Sequence, residues 1–206
     1  MGVRELPMFP LGMVVFPHQV VGLCVFESRY QQMLADIESE PVFGTCLIAR
    51  GSEVGGADQR TSVATVVHVI ASQRLDDDKT LMMVEGTQRV EISEWLDDAP
   101  YPRARVDDAP LEGDAVDPQL LRSTESAVRA LRAIQSEMVA DQCLKSNCEM
   151  DEDPLVRTWQ LCSMAPMPVF DQFAVLSLPR TNERLRLIAE ICCERYGDYQ
   201  RILALG

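Results

Sequence analysis

Lysine is nearly missing from these 206 residues; it occurs at positions 79 and 145, and histidine only at 18 and 68. Nineteen Lys and Arg stand against 32 Asp and Glu, for a net charge of -13 and a pI near 4.5. No run of basic residues exists to offset that balance, and an acidic surface repels phosphate backbones, so nucleic acid is disfavoured as a partner. No stretch approaches the ~20 apolar residues of a membrane span. The apolar segment from Met13 to Phe26 is broken by Pro17, His18 and Gln19 and has no basic head, which argues against a secretory signal. The Met-Gly start carries Leu6 where myristoylation wants Ser or Thr. A cytoplasmic protein without a membrane partner is expected.

Catalytic signatures are missing as well. There is no Gly-x-Ser-x-Gly elbow and no nucleophile set beside a base and an orienting partner. The Gly-rich loop from Gly51 to Asp58 follows a strand, as a phosphate loop does, but Gly56 leads into Ala57 and Asp58. A phosphate loop needs Lys and then Ser or Thr there, and an Asp repels phosphate, so this reads as a surface loop. The seven cysteines are an odd set: Cys24, Cys46, Cys143, Cys148, Cys162, Cys192 and Cys193. Several lie in apolar runs, where a thiol behaves as a small hydrophobe, and a reducing compartment fits better than a disulfide framework. Cys143 and Cys148 have Asn147 and Glu149 nearby, yet structural zinc wants two close pairs. A redox role for these two stays open. No metal, no cofactor and no enzyme activity is expected.

What the chain does contain is ordinary globular material, 47% hydrophobic and 25% charged, enough for one domain or two small ones. Its organising stretch is Leu6 to Leu34. Leu6 and Met8 alternate around Pro7, Pro10 and Gly12 mark a turn, Val14 to Phe16 is a short apolar strand, and Val20 to Phe26 a second, buried one. Tyr30, Met33, Leu34 and Ile37 then form a helical stripe over Ser28 to Glu38. Strands follow at Phe43–Ala49, Ser62–Ile70, Thr80–Val84, Arg89–Trp95 and Tyr101–Val106. Asp76 to Asp78 reads as a solvated hairpin tip, and Gly86 as an interruption. His68 is expected on the wet face of its strand and His18 at a turn. Short strands with one helix suggest a small barrel-like sheet, closed to hide its edges.

Beyond a polar linker at Asp107–Asp117 the pattern turns helical. Asp117-Pro118 and Asp153-Pro154 each read as an N-cap followed by Pro at the first helical position. The first helix carries Leu120 to Met138 at helical spacing, and the second carries Leu155, Trp159 and Cys162. The Met164-Ala-Pro-Met-Pro168 stretch breaks it. Phe170–Leu176 forms a third helix, and Thr181 caps a fourth with Leu185, Ile188, Ala189 and Cys192 facing in. The boundary is drawn at 113/114.

Three stretches together resemble the Lon protease amino-terminal (substrate-binding) domain family. They are "LPMFPLGMVVFPH" leading through a strand to "FESRYQQML", then "VATVVHVI" with "TLMMVEGTQRVEISEW", and the closing "FAVLSLPRTNERLRLIAEICCER". Val84, Glu85, Gly86 and Arg89 stand as in the family's VEG-x-x-R signature. The resemblance spans nearly the whole chain and implies an α+β fold: a PUA-like β pseudo-barrel, residues 1–113, then a carboxyl-terminal helical bundle, residues 114–206. It also implies a recognition module without the ATPase and peptidase of full-length Lon. The expected role is binding unfolded or exposed apolar polypeptide clients as an adaptor to an ATP-dependent protease. The expected contact residues are Met13, Phe16 and His18 in one loop and Met164, Met167 and Phe170 after the second helix, since methionine suits promiscuous surfaces. The alternatives are an RNA-binding PUA-like module using Arg89, Arg103 and Arg105, and a small-molecule receptor.

Overall fold

The computed structural model describes residues 3–51, 59–76, 79–108, 115–138 and 149–205. The chain divides into two compact units, Met1–Pro110 and Leu111–Gly206. The sequence-based boundary at 113/114 lies outside the described residues. The fold is α+β: an antiparallel sheet with one short helix, then a helical unit.

In the first unit β1 (Arg4–Pro7), β2 (Val20–Val25), β3 (Val42–Arg50), β4 (Gln59–Asp76), β5 (Lys79–Trp95) and β6 (Arg103–Asp108) form one sheet. Its order is β1-β6-β5-β4-β3, and β2 pairs with β5 off that path. The expected closure into a barrel is not made, because β1 and β3 end the ladder. The chain just after β1 meets β3 through two isolated parallel bridges, Met8 with Gly44 and Leu11 with Leu47. Nor are all strands short. β4 and β5 run for 18 and 17 residues as one long hairpin, whose Asp77 and Asp78 lie outside the described residues. Gly86 does not interrupt β5; it continues the strand opposite Val67.

Val14 to Phe16, expected as a strand, is buried coil laid over the sheet. It is held there by Thr65, whose hydroxyl donates to the Val15 carbonyl at 2.6 Å. That cover explains why Val63 to Val67 are buried without a break. An alternating strand buries one face, and a continuous buried run needs material on both. Two apolar clusters result. One gathers Phe9, Val15, Leu23, Tyr30, Met33, Phe43, Val67 and Val84, with Phe9 tilted against Tyr30 at 4.3 Å between ring centres. The other gathers Leu6, Met8, Cys46, Ala64, Val66, Val90 and Val106. Helix α1 (Ser28–Asp36) adds its buried Tyr30 and Met33 to the first.

In the second unit α2 (Pro118–Met138) packs on α3 (Pro154–Met164) and α5 (Thr181–Leu205), with α4 (Val169–Ser177) against α5. Asp117 accepts from the amides of Gln119 and Leu120, and Asp153 from Leu155, so both predicted N-caps form. Thr181 does not cap as expected. Its hydroxyl is buried without a hydrogen-bond partner among the described residues, and Asn182 makes the local links to Ala115 and Asp117 instead. Leu155 is exposed, because the helix turns Thr158, Trp159, Leu161 and Cys162 to the core. Arg184 is buried, stacked 4.1 Å over Trp159 and donating to the Leu178 carbonyl at 2.5 Å.

Candidate functional site

The six residues expected to contact a client divide between the two units, three in each, and burial separates them further. Phe16 is 1% exposed and Met167 6%, so both are core side chains and leave any partner-facing surface. The stretch from Met164 to Pro168, expected to be exposed, is mostly packed: Ala165 is buried, Met164 half-buried, and the Met164 carbonyl accepts from Arg132 at 2.9 Å. Two prolines stop a helix, but they do not lift the chain off the core. Phe170, His18 and Met13 are exposed. His18 has φ of 60°, the turn conformation, with its amide donating to Gly86.

The feature the sequence reading missed is the outer face of the β2-β5-β4 ribbon. Antiparallel pairing aligns Gly22 with Met83 and Met83 with Ala71 in one cross-strand row. A second row aligns Cys24, Leu81 and Gln73. Between the rows the backbone of Leu23, Met82 and Ser72 makes the floor. These nine residues line an open groove of about 680 Å³. None is charged. Leu81 is 42% and Met83 41% exposed, and Val20 on β2 and Ile70 and Leu75 on β4 are exposed as well. A bulge between Val69 and Ala71 sits beside the groove, where β4 has run past its last partner on β3 at His68.

A smaller hollow of about 160 Å³ shares Gly22, Leu23 and Cys24 with the groove and adds Phe9, Leu11, Met13, Phe26 and Tyr30. Met13 therefore joins this site, though Phe16 does not. A signal for the groove was present in "VVGLCV" and "TLMMV". Each carries apolar residues at both parities, where a strand with one wet face alternates with polar ones. Apolar residues on both faces suggest burial; in β2 they instead form an alternating pattern with one face left open.

Other candidates carry less. Arg89 is buried and paired with Glu91 at 3.0 Å, and Arg105 is held by Glu5 and Glu94, so two of the three arginines proposed for RNA face carboxylates. His68 is exposed on β4, opposite Glu85. Among the described residues no three His, Cys, Asp or Glu side chains converge as metal ligands, and no helix is long and apolar enough to cross a membrane. Cys143 and Cys148 lie outside the described residues. Burial pushes the Cys162 thiol well above its ordinary range, and that of Cys192 up to about 11.

Comparison with known proteins gives a consistent result. A family model described as the ATP-dependent protease La (LON) substrate-binding domain matches residues 5–194. Lon protease 2 of Herpetosiphon aurantiacus is 29% identical over 205 residues, which is 91% of this chain and 23% of that protein. Lon protease of Escherichia coli K12 is 23% identical over 189 residues, 89% of this chain and 24% of that protein. The chain thus spans about a quarter of the length of these curated relatives. Among solved structures, a Lon N-terminal domain protein from Xanthomonas campestris superposes with a TM-score of 0.61 at 21% identity, covering 89% of this chain and 95% of that one. The N terminal domain of Mycobacterium avium complex Lon protease gives 0.64 at 17% identity, covering 92% and 98%.

Proposed function

This chain belongs to the ATP-dependent protease La (LON) substrate-binding domain family, and we propose that it binds unfolded or exposed apolar polypeptide segments at the groove over β2, β5 and β4. The region matched is a substrate-binding domain, so recognition is the chemistry proposed. The observation that carries the reading is an uncharged groove of about 680 Å³ whose rim exposes Leu81 and Met83. Exposed contiguous apolar surface on a soluble fold marks an interaction site, and methionine adapts its shape to varied side chains. Unfolded clients share little except apolar side chains and backbone, which is what this surface accepts. Delivery of the client to an ATP-dependent protease, in a reducing cytoplasm, completes the proposal; Cys24, Cys46, Cys162, Cys192 and Cys193 are free thiols.

The test replaces Leu81 and Met83 together with serine and measures binding of a permanently unfolded apolar polypeptide by fluorescence anisotropy. Both side chains are exposed, so the fold is retained, and affinity falls about tenfold or more. Unchanged affinity with an intact fold overturns the placement. Addition of the chain to a client and its protease tests delivery, with faster client loss as the expected result.

A further inference from the structure

Glycine inside a strand weakens it, and unless the fold itself requires one, it marks a place where a ligand or another backbone approaches closely. Two strand glycines of this protein meet close neighbours within the fold's own packing. A Cβ on Gly44 would lie 2.4 Å from the Met8 sulfur, and one on Gly86 2.2 Å from the Phe16 carbonyl oxygen. Gly22 is different. A Cβ there meets only the Met83 sulfur, at an ordinary 3.5 Å, and its φ is not positive. Among the described residues nothing within the unit explains the missing side chain.

Gly22 also sits at the centre of an open edge. β2 pairs with β5 alone. In an antiparallel pair half of a strand's amides and carbonyls serve the partner, and the other half point away. Among the described residues, the backbone groups of Val20, Gly22 and Cys24 make no hydrogen bond beyond the ladder; at the end of the strand the Val25 carbonyl accepts from the Gln31 side chain at 2.8 Å. Both hollows open onto Gly22, Leu23 and Cys24, one over the face of β2 and one beside it.

We infer that the client is captured as an added β-strand along the free edge of Val20–Cys24, its backbone crossing at Gly22 and alternate side chains entering the groove. The inference rests on the groove being the polypeptide site. It specifies the occupant: an extended segment, apolar at alternate positions and without acidic flanks. Charge supports the last point, since the groove is uncharged while residues 1–110 carry nine basic and seventeen acidic side chains, a net of -8. Strand addition supplies affinity through main-chain hydrogen bonds, which every unfolded client offers regardless of sequence.

The experiment uses a short synthetic peptide of alternating leucine and serine flanked by arginine, with two further versions N-methylated on one or the other alternate set of backbone amides. Strand addition predicts that one methylated version loses about tenfold or more in affinity while its counterpart binds within about twofold of the parent. Amide hydrogen exchange then slows at alternate residues of Val20–Cys24 when the parent peptide is added. If both methylated versions bind like the parent, or both lose equally, strand addition is overturned while the groove reading stands. If the parent itself does not bind, both readings fall. Exchange protection of β2 without peptide, rising with protein concentration, assigns the edge to a second copy of this chain and also overturns the inference.

Discussion

Gly86 on β5 and Phe16 in the covering loop meet backbone to backbone: a Cβ on Gly86 would lie 2.2 Å from the Phe16 carbonyl oxygen and 2.9 Å from its carbonyl carbon. The contact is reinforced by the His18 amide donating to the Gly86 carbonyl at 2.7 Å and the Gly86 amide donating to Gln19 at 2.9 Å. This is where the loop that buries Phe16 is fastened to the sheet. A backbone atom cannot move aside as a flexible side chain does. Gly86→Ala is therefore expected to destabilise the first unit by about 1–3 kcal/mol, in the range of overpacked sites. Gly22→Ala, with only an ordinary contact to Met83, is expected to be neutral or up to about 1 kcal/mol stabilising. Urea unfolding of the two variants checks the contrast, and equal losses would contradict it.

Asp153 caps α3 through its side chain and precedes Pro154 at the first helical position. Asp153→Ala should cost about 1 kcal/mol, while Asp153→Asn keeps an acceptor oxygen and most of the stability. Chemical denaturation followed by circular dichroism reads both.

The Tyr101 hydroxyl donates to Asp36 at 2.9 Å from a buried ring. Burial, then the Asp36 hydrogen bond and charge, raise the phenol above its ordinary 10.0, with Arg103 opposing. The neutral phenol is the form that the fold favours. Its contribution is complete below pH 10 and is lost as pH rises through the raised folded value. Stability measured between pH 9 and 12 should fall for the native chain and fall less steeply for Tyr101→Phe, which has no proton to lose.

Among the described cysteines, Cys24 and Cys193 are exposed while Cys46, Cys162 and Cys192 are buried. The thiolate is the reactive form, and burial disfavours it at Cys162 and at Cys192, where the neighbouring Cys193 adds to the effect. Alkylation of the folded protein near neutral pH, mapped by mass spectrometry, should label Cys24 and Cys193 and spare the other three until denaturant is added. Bound client should also slow labelling of Cys24, which lines the groove.

Patterns carried by neighbouring residues were legible in the chain. The Asp-Pro pairs at 117 and 153 fixed two helix starts, because a cap acts on amides two or three residues away. Tyr30 and Met33 marked the buried stripe of α1, since helical period alone places them on one face. The β-branched runs located the sheet, and the VEG-x-x-R stretch with its companions pointed to the family. Tertiary structure decided what depends on partners distant in sequence. Val14 to Phe16 looked like a strand, yet Thr65, fifty residues away, makes it a cover. Gly86 looked like a break, yet its pairing with Val67 carries the strand through, and the Phe16 backbone lying over it leaves no room for a side chain. Met167 looked exposed because proline flanks it, yet core packing claimed its side chain. The groove itself joins residues 22–24, 71–73 and 81–83 through strand register. Register is set by which apolar set finds the core, a choice that no single strand's sequence contains.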